Sequence, residues 1–264
     1  MTDITFACTM CGRCCYKHNL PLTVEEAISW LEEDGKVHVY CEADIWSGEP
    51  PTEDLRAAHR KRRSFAASSG SSRVRVTALL VAIASGGCKN LGADSLCRIY
   101  ERRPLVCRIY PAEVSPFIQL DINRKACPPE AWAGGATLMS HGRIVDTDMQ
   151  RLVEKSRQID QEDAPKKARL CRYLSIDVAA LAGEGFVSYD FDRKTLLDAL
   201  RSVQRAELES VPQDRGWRLY SPSLSGCESL RAKGVDVAAK RPADPYSFIS
   251  FSSVQPSAEL STRL

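Results

Sequence analysis

Four cysteines fall within eight residues near the start of the chain, as Cys8-Thr9-Met10-Cys11-Gly12-Arg13-Cys14-Cys15. Packing does not demand that density, but holding a soft metal does. A Cys-x-x-Cys turn can place two sulfurs on one ion, and two such turns sharing Cys11 let three sulfurs converge. Gly12 eases the tight backbone because it lacks the Cβ that penalises positive φ. The adjacent pair Cys14 and Cys15 is the odd feature. Neighbouring side chains diverge, by about 100° on a helix and to opposite faces on a strand. The pair points either to two adjacent metal centres or to one ligand beside a thiol that supports it without ligating.

Cys88, Cys97, Cys107 and Cys127 bring the first half to eight, without counting Cys41. Eight is two sets of four, and four thiolates complete one tetrahedral zinc site or hold one iron–sulfur cluster. The loops between them are long, so a metal bound only by the folded chain would contribute strongly to folding. Thiolate sites carry buried negative charge that needs compensation. Arg13, Lys89, Arg98, Arg102, Arg103 and Arg108 lie within a few residues of these cysteines, and Glu101 is the only carboxylate between Cys97 and Cys107. Zinc suits four-thiolate sites and needs no further cofactor. The C-x-x-C-x-x-C run is also how low-potential ferredoxins begin, where a remote Cys-Pro completes the ligation, as Cys127-Pro128 would here. Both metals stay open. Cys41, Cys171 and Cys227 are isolated and read as small buried apolar residues. Of the four histidines, only His18, three residues after Cys15, is a candidate ligand. Tyr100 and Tyr110 read as core aromatics, with hydrogen bonding to sulfur as the alternative.

The pattern Phe6-x-Cys8-x-x-Cys11-Gly12-Arg13-Cys14-Cys15, Cys88, Cys97-Arg98-Ile99-Tyr100-x-x-Arg103-Pro104-x-x-Cys107-Arg108-x-Tyr110-Pro111 and Cys127-Pro128 resembles the YkgJ-type cysteine-cluster family. That family carries a CxxCxxCC signature and is described as zinc- or iron-chelating. The resemblance covers roughly residues 4 to 130, and residues 40 to 75 look like an insertion in it. It implies that Cys8, Cys11, Cys14, Cys15, Cys88, Cys97, Cys107 and Cys127 are the metal ligands. One relative sharing the signature is the flagellin lysine-N-methylase, which transfers a methyl group from S-adenosylmethionine to protein lysines. The resemblance thus implies an alternative function, a protein lysine methylase.

The rest of the chain must position those residues. Its composition, 44% hydrophobic and 27% charged with a net charge of +2, is that of an ordinary soluble protein. It makes no whole-chain case for a nucleic-acid or membrane partner. The first residues lack a basic and apolar leader, and the longest apolar run, Ala78 to Ala84, is far shorter than the roughly 18 residues that span a bilayer. The expected compartment is the cytosol, where clustered thiols bind metal more often than they form disulfides. The basic run Arg60-Lys61-Arg62-Arg63 reads as a solvated helix face, because no aromatic interleaving supports nucleic-acid binding.

Thr23 and Glu26 form a capping box that predicts a helix over 24–34, and Val37 to Tyr40 reads as a strand fragment. Thr52 to Phe65 reads as a helix, Ser68 to Ser72 as flexible, Arg73 to Ala84 as a strand, and Phe117 to Ile122 as another. Helices are expected over 146–160, from Pro165 to about Leu174, over 175–182, and after Asp192. A strand is expected over 186–191. The sum is an α+β fold: an irregular metal-nucleated cysteine-rich domain with short strands and helices over 1–132, a mainly helical C-terminal region over 133–239, and a loosely ordered tail over 240–264. No P-loop, H-E-x-x-H or strand–G-x-G-x-x-G–helix occurs, and the pairs Gly134-Gly135 and Gly183-Glu184-Gly185 read as turns. No catalytic or cofactor-binding residue is assigned, and a redox sensor in which the Cys14-Cys15 region oxidises and releases metal is the weakest alternative.

Overall fold

The computed structural model describes residues 3–17, 19–205, 216–239 and 244–251. In chain order the elements are β1 (Ile4–Phe6), α1 (Arg13–Lys17), β2 (Leu20–Leu22), α2 (Val24–Glu32), β3 (Val37–Ile45), α3 (Leu55–Arg63), β4 (Phe65–Ser69), β5 (Ser72–Ala82), α4 (Leu105–Ile109), β6 (Ala136–Ser140), β7 (Arg143–Ile144), α5 (Thr147–Tyr173), β8 (Val178–Leu181), β9 (Gly185–Tyr189), α6 (Arg193–Arg205), β10 (Arg218–Tyr220), α7 (Leu224–Ala232) and β11 (Tyr246–Ser250). The class is α+β, and no described helix is long and apolar enough to cross a membrane.

Contacts divide the described residues into two units. One draws on Met1–Leu22 and Ile83–Ile159, the other on Thr23–Ala82 and Asp160–Val254. Residues 23–82 therefore group with the C-terminal half and not with the cysteine-bearing segments, because β3 pairs with β8 and β9.

The cysteine-bearing unit has little regular structure. β1 pairs antiparallel with β6, and β6 with β7. Phe6 packs on Trp132 with ring centroids 5.1 Å apart, and Thr5 Oγ1 donates to the Trp132 carbonyl. A small apolar cluster of Leu105, Ile109, Ala112 and Val153 joins α4 to the first part of α5, with Met149 and Leu152 against it.

The other unit is built on a sheet. β3 and β5 pair antiparallel along their length, from Val37 opposite Ala82 to Ile45 opposite Val74. β3 also meets β9 antiparallel and β8 parallel, β8 continues to β10, and β9 to β11. The capping box of α2 forms as its sequence predicts, with the Glu26 amide on Thr23 and the Thr23 amide on the Glu26 carboxylate. That helix buries Val24, Ala27, Ile28, Trp30 and Leu31, and α6 buries Leu196, Ala199, Leu200 and Val203 at helical spacing. Asp192 caps α6 through the Thr195 amide.

Several sequence expectations need correction. Ser68 to Ser72 is a tight hairpin joining β4 to β5, with Gly70 at φ +55° and buried Ser69 accepting from the Asp236 amide. Turn-forming serines there close a strand pair and do not loosen it. Residues 178–181 are a strand, not a helix. Val178, Ala179 and Ala180 are fully buried, and a short run of that kind cannot be told from a buried helix by periodicity. Phe117 to Ile122 is turn, anchored by Ser115, and Asp121 caps a 3-10 turn at Ile122–Arg124. The two helices expected around Pro165 are one, α5. Pro165 removes a donor from the exposed Gln161 carbonyl, which solvent can satisfy. Tyr246–Ser250 is a strand within the expected loose tail, and 240–243 and 252–264 lie outside the described residues.

Three members of the basic run form ion pairs within their own unit. Arg60 reaches Asp44 at 3.4 Å and Lys61 reaches Glu49 at 2.5 Å, while buried Arg63 binds Asp160 at 3.0 Å. Burial would raise the Asp160 carboxyl, but Arg63 and Lys167 outweigh it and hold it below its usual range.

Candidate metal centre

α1 carries Cys14 and Cys15, and its entry depends on Gly12. That glycine has φ +70°, and a Cβ there would stand 2.8 Å from the Ser95 carbonyl oxygen. It therefore provides the turn and also lets the run approach the loop that bears Cys88 and Cys97. The Gly12 carbonyl accepts from the Cys15 amide at 2.9 Å, and the Cys15 carbonyl from the Cys88 amide at 2.8 Å. The Cys88–Cys97 loop closes on itself through the Leu91–Cys97 bridge and the Arg98 amide on the Asn90 carbonyl. α4 presents Cys107. At the other end of the run, the Ala7 amide donates to the Ala131 carbonyl at 2.9 Å, which ties Cys8 to the segment following Cys127.

All eleven cysteines are free thiols. Of the eight named from the sequence, Cys14, Cys15, Cys88, Cys107 and Cys127 have acidities shifted by neighbouring cysteines. The Cys15 thiol is hydrogen-bonded with Cys14 and Cys88, which drives its own pKa up. Cys14 is lowered to about 7, chiefly by that bond, with Arg103 adding to it against burial. Cys88 falls to about 6, again chiefly through Cys15, with the Asn90 amide and Lys89 adding. Burial pushes Cys107 up, and the thiols of Cys14, Cys88 and Cys97 push it further, while Arg103 opposes. Cys127 rises to about 11 through burial and then Cys14, with Cys11 and Cys8 contributing.

Two tyrosines touch these sulfurs, although the sequence reading favours a core role for them. Tyr110 bonds Cys127 while its hydroxyl accepts from the Ala126 amide at 2.7 Å. Tyr100 bonds Cys8, and the Arg103 guanidinium lies 3.7 Å from the Tyr100 ring centre. Of the cations near the cysteines in sequence, Arg103 and Lys89 act on thiols. Arg13, Arg102 and Arg108 are exposed, and Arg98 reaches Asp94 at 3.5 Å.

Among the described residues, no three His, Cys, Asp or Glu side chains stand together in a metal-holding arrangement. The contacts are pairwise within a common patch. A cysteine sulfur turns about one bond and moves about 3 Å between staggered positions, the scale of adjustment that convergence on an ion needs. The donor set suits zinc or iron, being all thiol. Asn90, which sequence reading passes over, supports the fit. Its buried side-chain nitrogen has no hydrogen-bond partner among the described residues, two positions after Cys88, and an amide N–H is the kind of group that bonds a ligated sulfur. His18 lies outside the described residues.

The remaining cysteines differ from expectation in part. Cys41 and Cys171 are buried but not isolated, because their thiols bond each other across β3 and α5. Cys227 is only half-buried, and its thiol donates to the Ser221 carbonyl at 3.5 Å.

Residues 7–128 match the family model described as "CxxCxxCC: Putative zinc- or iron-chelating domain". The match spans just under half of the chain, and that family is described as chelating zinc or iron. Neither a curated protein nor a solved structure matches the chain.

Proposed function

We propose that Cys8, Cys11, Cys14, Cys15, Cys88, Cys97, Cys107 and Cys127 hold zinc or iron, and that the chain works as a thiolate metal protein. The observation that carries this reading is the approach of three remote thiols, Cys88, Cys107 and Cys127, to the run. Cys15 bonds Cys88, and Cys14 influences both Cys107 and Cys127. Arg103 and Lys89 supply the positive charge that favours thiolate. Tyr100 and Tyr110 would orient the sulfurs of Cys8 and Cys127. A reducing compartment such as the cytosol suits free thiols in this number.

Bound zinc would cross-link the turns, whereas an iron–sulfur cluster would also supply one-electron chemistry. The neighbourhood of Cys127-Pro128 with Cys8, Cys11 and Cys14 favours the cluster as a second reading. Purification of the full chain without oxygen, followed by elemental analysis and an absorption spectrum, tests both. Zinc in a colourless protein supports the first, and iron with a visible charge-transfer band supports the second. A folded chain that holds neither metal, and takes up neither on reconstitution, overturns the proposal.

A further inference from the structure

Just upstream of Cys127 lies a buried ion pair. Lys125 Nζ stands 2.5 Å from a Glu113 carboxylate oxygen, and the two side chains are only 9% and 12% exposed. Taking two charges out of water costs about as much as such a pair returns, so burial of this kind is poorly explained as a source of stability. Apolar side chains of the same size would enlarge the small core of the cysteine unit instead. What a charge-assisted hydrogen bond adds is direction, because it fixes one atom against another.

Both members of the pair are anchored. Glu113 follows Ala112, which is buried with Leu105, Ile109 and Val153. It precedes Val114, whose carbonyl accepts from Arg157 Nε on α5 at 2.8 Å. The apolar cluster thus fixes Glu113 on one side and α5 on the other. Lys125 comes twelve positions later, after an irregular loop. Its ammonium also lies 5.3 Å from the ring centre of Tyr110, the residue that closes α4. The Tyr110 hydroxyl accepts from the Ala126 amide at 2.7 Å, and Cys127 is the next residue. Beyond it, the Pro128 carbonyl accepts from the Ala131 amide at 3.0 Å, and the Ala131 carbonyl from the Ala7 amide at 2.9 Å. Cys127 is therefore held from both sides along the chain.

We propose that Glu113 and Lys125 are positioning residues for the metal site: their ion pair fixes the Cys127 segment against α4 and α5, so that this thiol is in place before an ion arrives. This rests on the metal-binding reading above and adds to it the residues that deliver its most remote donor. Neither side chain ligates. Both act through the backbone of 125–127, and a donor held in advance loses less freedom when it binds.

Cobalt(II), whose charge-transfer absorption reports thiolate ligation, tests this on the full chain under reducing, oxygen-free conditions. The spectrum at saturation reports how many thiolates ligate, whereas the dissociation constant also senses stability. Cys127→Ser defines the spectrum of a site that lacks this donor. Lys125→Met is expected to bind cobalt at least about tenfold more weakly. At saturation its spectrum should move from that of wild type toward that of Cys127→Ser. A lone buried Glu113 also destabilises the fold, so two further variants separate position from folding. Glu113→Leu with Lys125→Met removes both charges and should regain stability in urea, yet keep the weaker binding and the altered spectrum. Glu113→Asp keeps the charge, withdraws the carboxylate by one methylene and should fall between wild type and Lys125→Met. A double variant with the saturated spectrum and affinity of wild type overturns the positioning role. So does a Cys127→Ser spectrum identical to wild type, which would remove Cys127 from the ligands. A wild-type chain that takes up no cobalt, zinc or iron overturns the metal reading itself.

Discussion

In the sheet unit, β3 runs beside β5 for nine residues, and fully buried side chains such as Phe186, Leu196 and Leu200 fill the space under it. In the cysteine unit the longest strand, β6, has five residues, α1 and α4 have five each, and the apolar cluster is small. One unit closes by burying apolar surface and satisfying a ladder of hydrogen bonds. The other has only that small apolar cluster, beside thiols that are exposed or half-buried. A metal bound only in the folded state contributes its binding energy to folding, so the two units should respond to opposite insults.

The largest contrast should come from removing the metal. Cys11→Ser, or a strong chelator, is expected to strip hydrogen-exchange protection from 83–132 by several orders of magnitude, since structural zinc is worth on the order of 10 kcal/mol in small zinc domains. Protection of 178–203 should hardly change, and Cys227→Ser should leave both regions as they are. Equal losses in the two units would erase the contrast. In the opposite direction, Leu200→Ala should cost about 3 kcal/mol in denaturant unfolding of the sheet unit, through lost transfer energy and a cavity. Its metal content, read by elemental analysis, should match wild type.

A pH-dependent effect of similar size belongs to the sheet unit alone. Burial, with the Asp44 carboxylate beside it, raises Glu42 on β3 to about 7, against the pull of Arg63 and Arg60. An unfolded chain holds this proton with a pKa of about 4.3, so the folded chain binds it more tightly. Stability is then full at pH 4 and declines as pH rises through 7. Glu42→Gln should add about 3 kcal/mol at pH 8 and nothing at pH 4, measured by urea unfolding across that range. A gain that does not vary with pH would mean that Glu42 acts by some route other than its charge. Smallest of all, Thr23→Ala should cost about 1 kcal/mol by leaving the Glu26 amide without its side-chain acceptor, seen as a lower unfolding midpoint with unchanged metal content.

Sequence patterns were readable wherever the deciding contacts are local. The capping box of α2, the Asp192 cap of α6 and the positive φ at Gly12 each follow from residues within a few positions. They failed at Val178 to Leu181, because alanines favour a helix locally while β3 and β10 on either side impose a strand. Residues 40–75, which look like an insertion when only the cysteine pattern is followed, supply α3, β4, most of β3 and the start of β5 of the sheet unit.

By itself, then, the amino-acid sequence determined the inventory of donors. Eight thiols at C-x-x-C-x-x-C-C and four later positions are donors of the kind a soft metal takes, and side-chain chemistry needs no fold to be identified. Only the tertiary structure decided which donors meet. Cys15 lies beside Cys14 in the chain and Cys88 lies 73 positions further on, yet both are its partners. Cys127 adjoins Cys8 because Phe6 and Ala7 dock on 131–132. Closing such loops costs entropy that grows only slowly with length, so spacing along the chain leaves the pairing open. Backbone hydrogen bonds and ring contacts settle which segments adjoin.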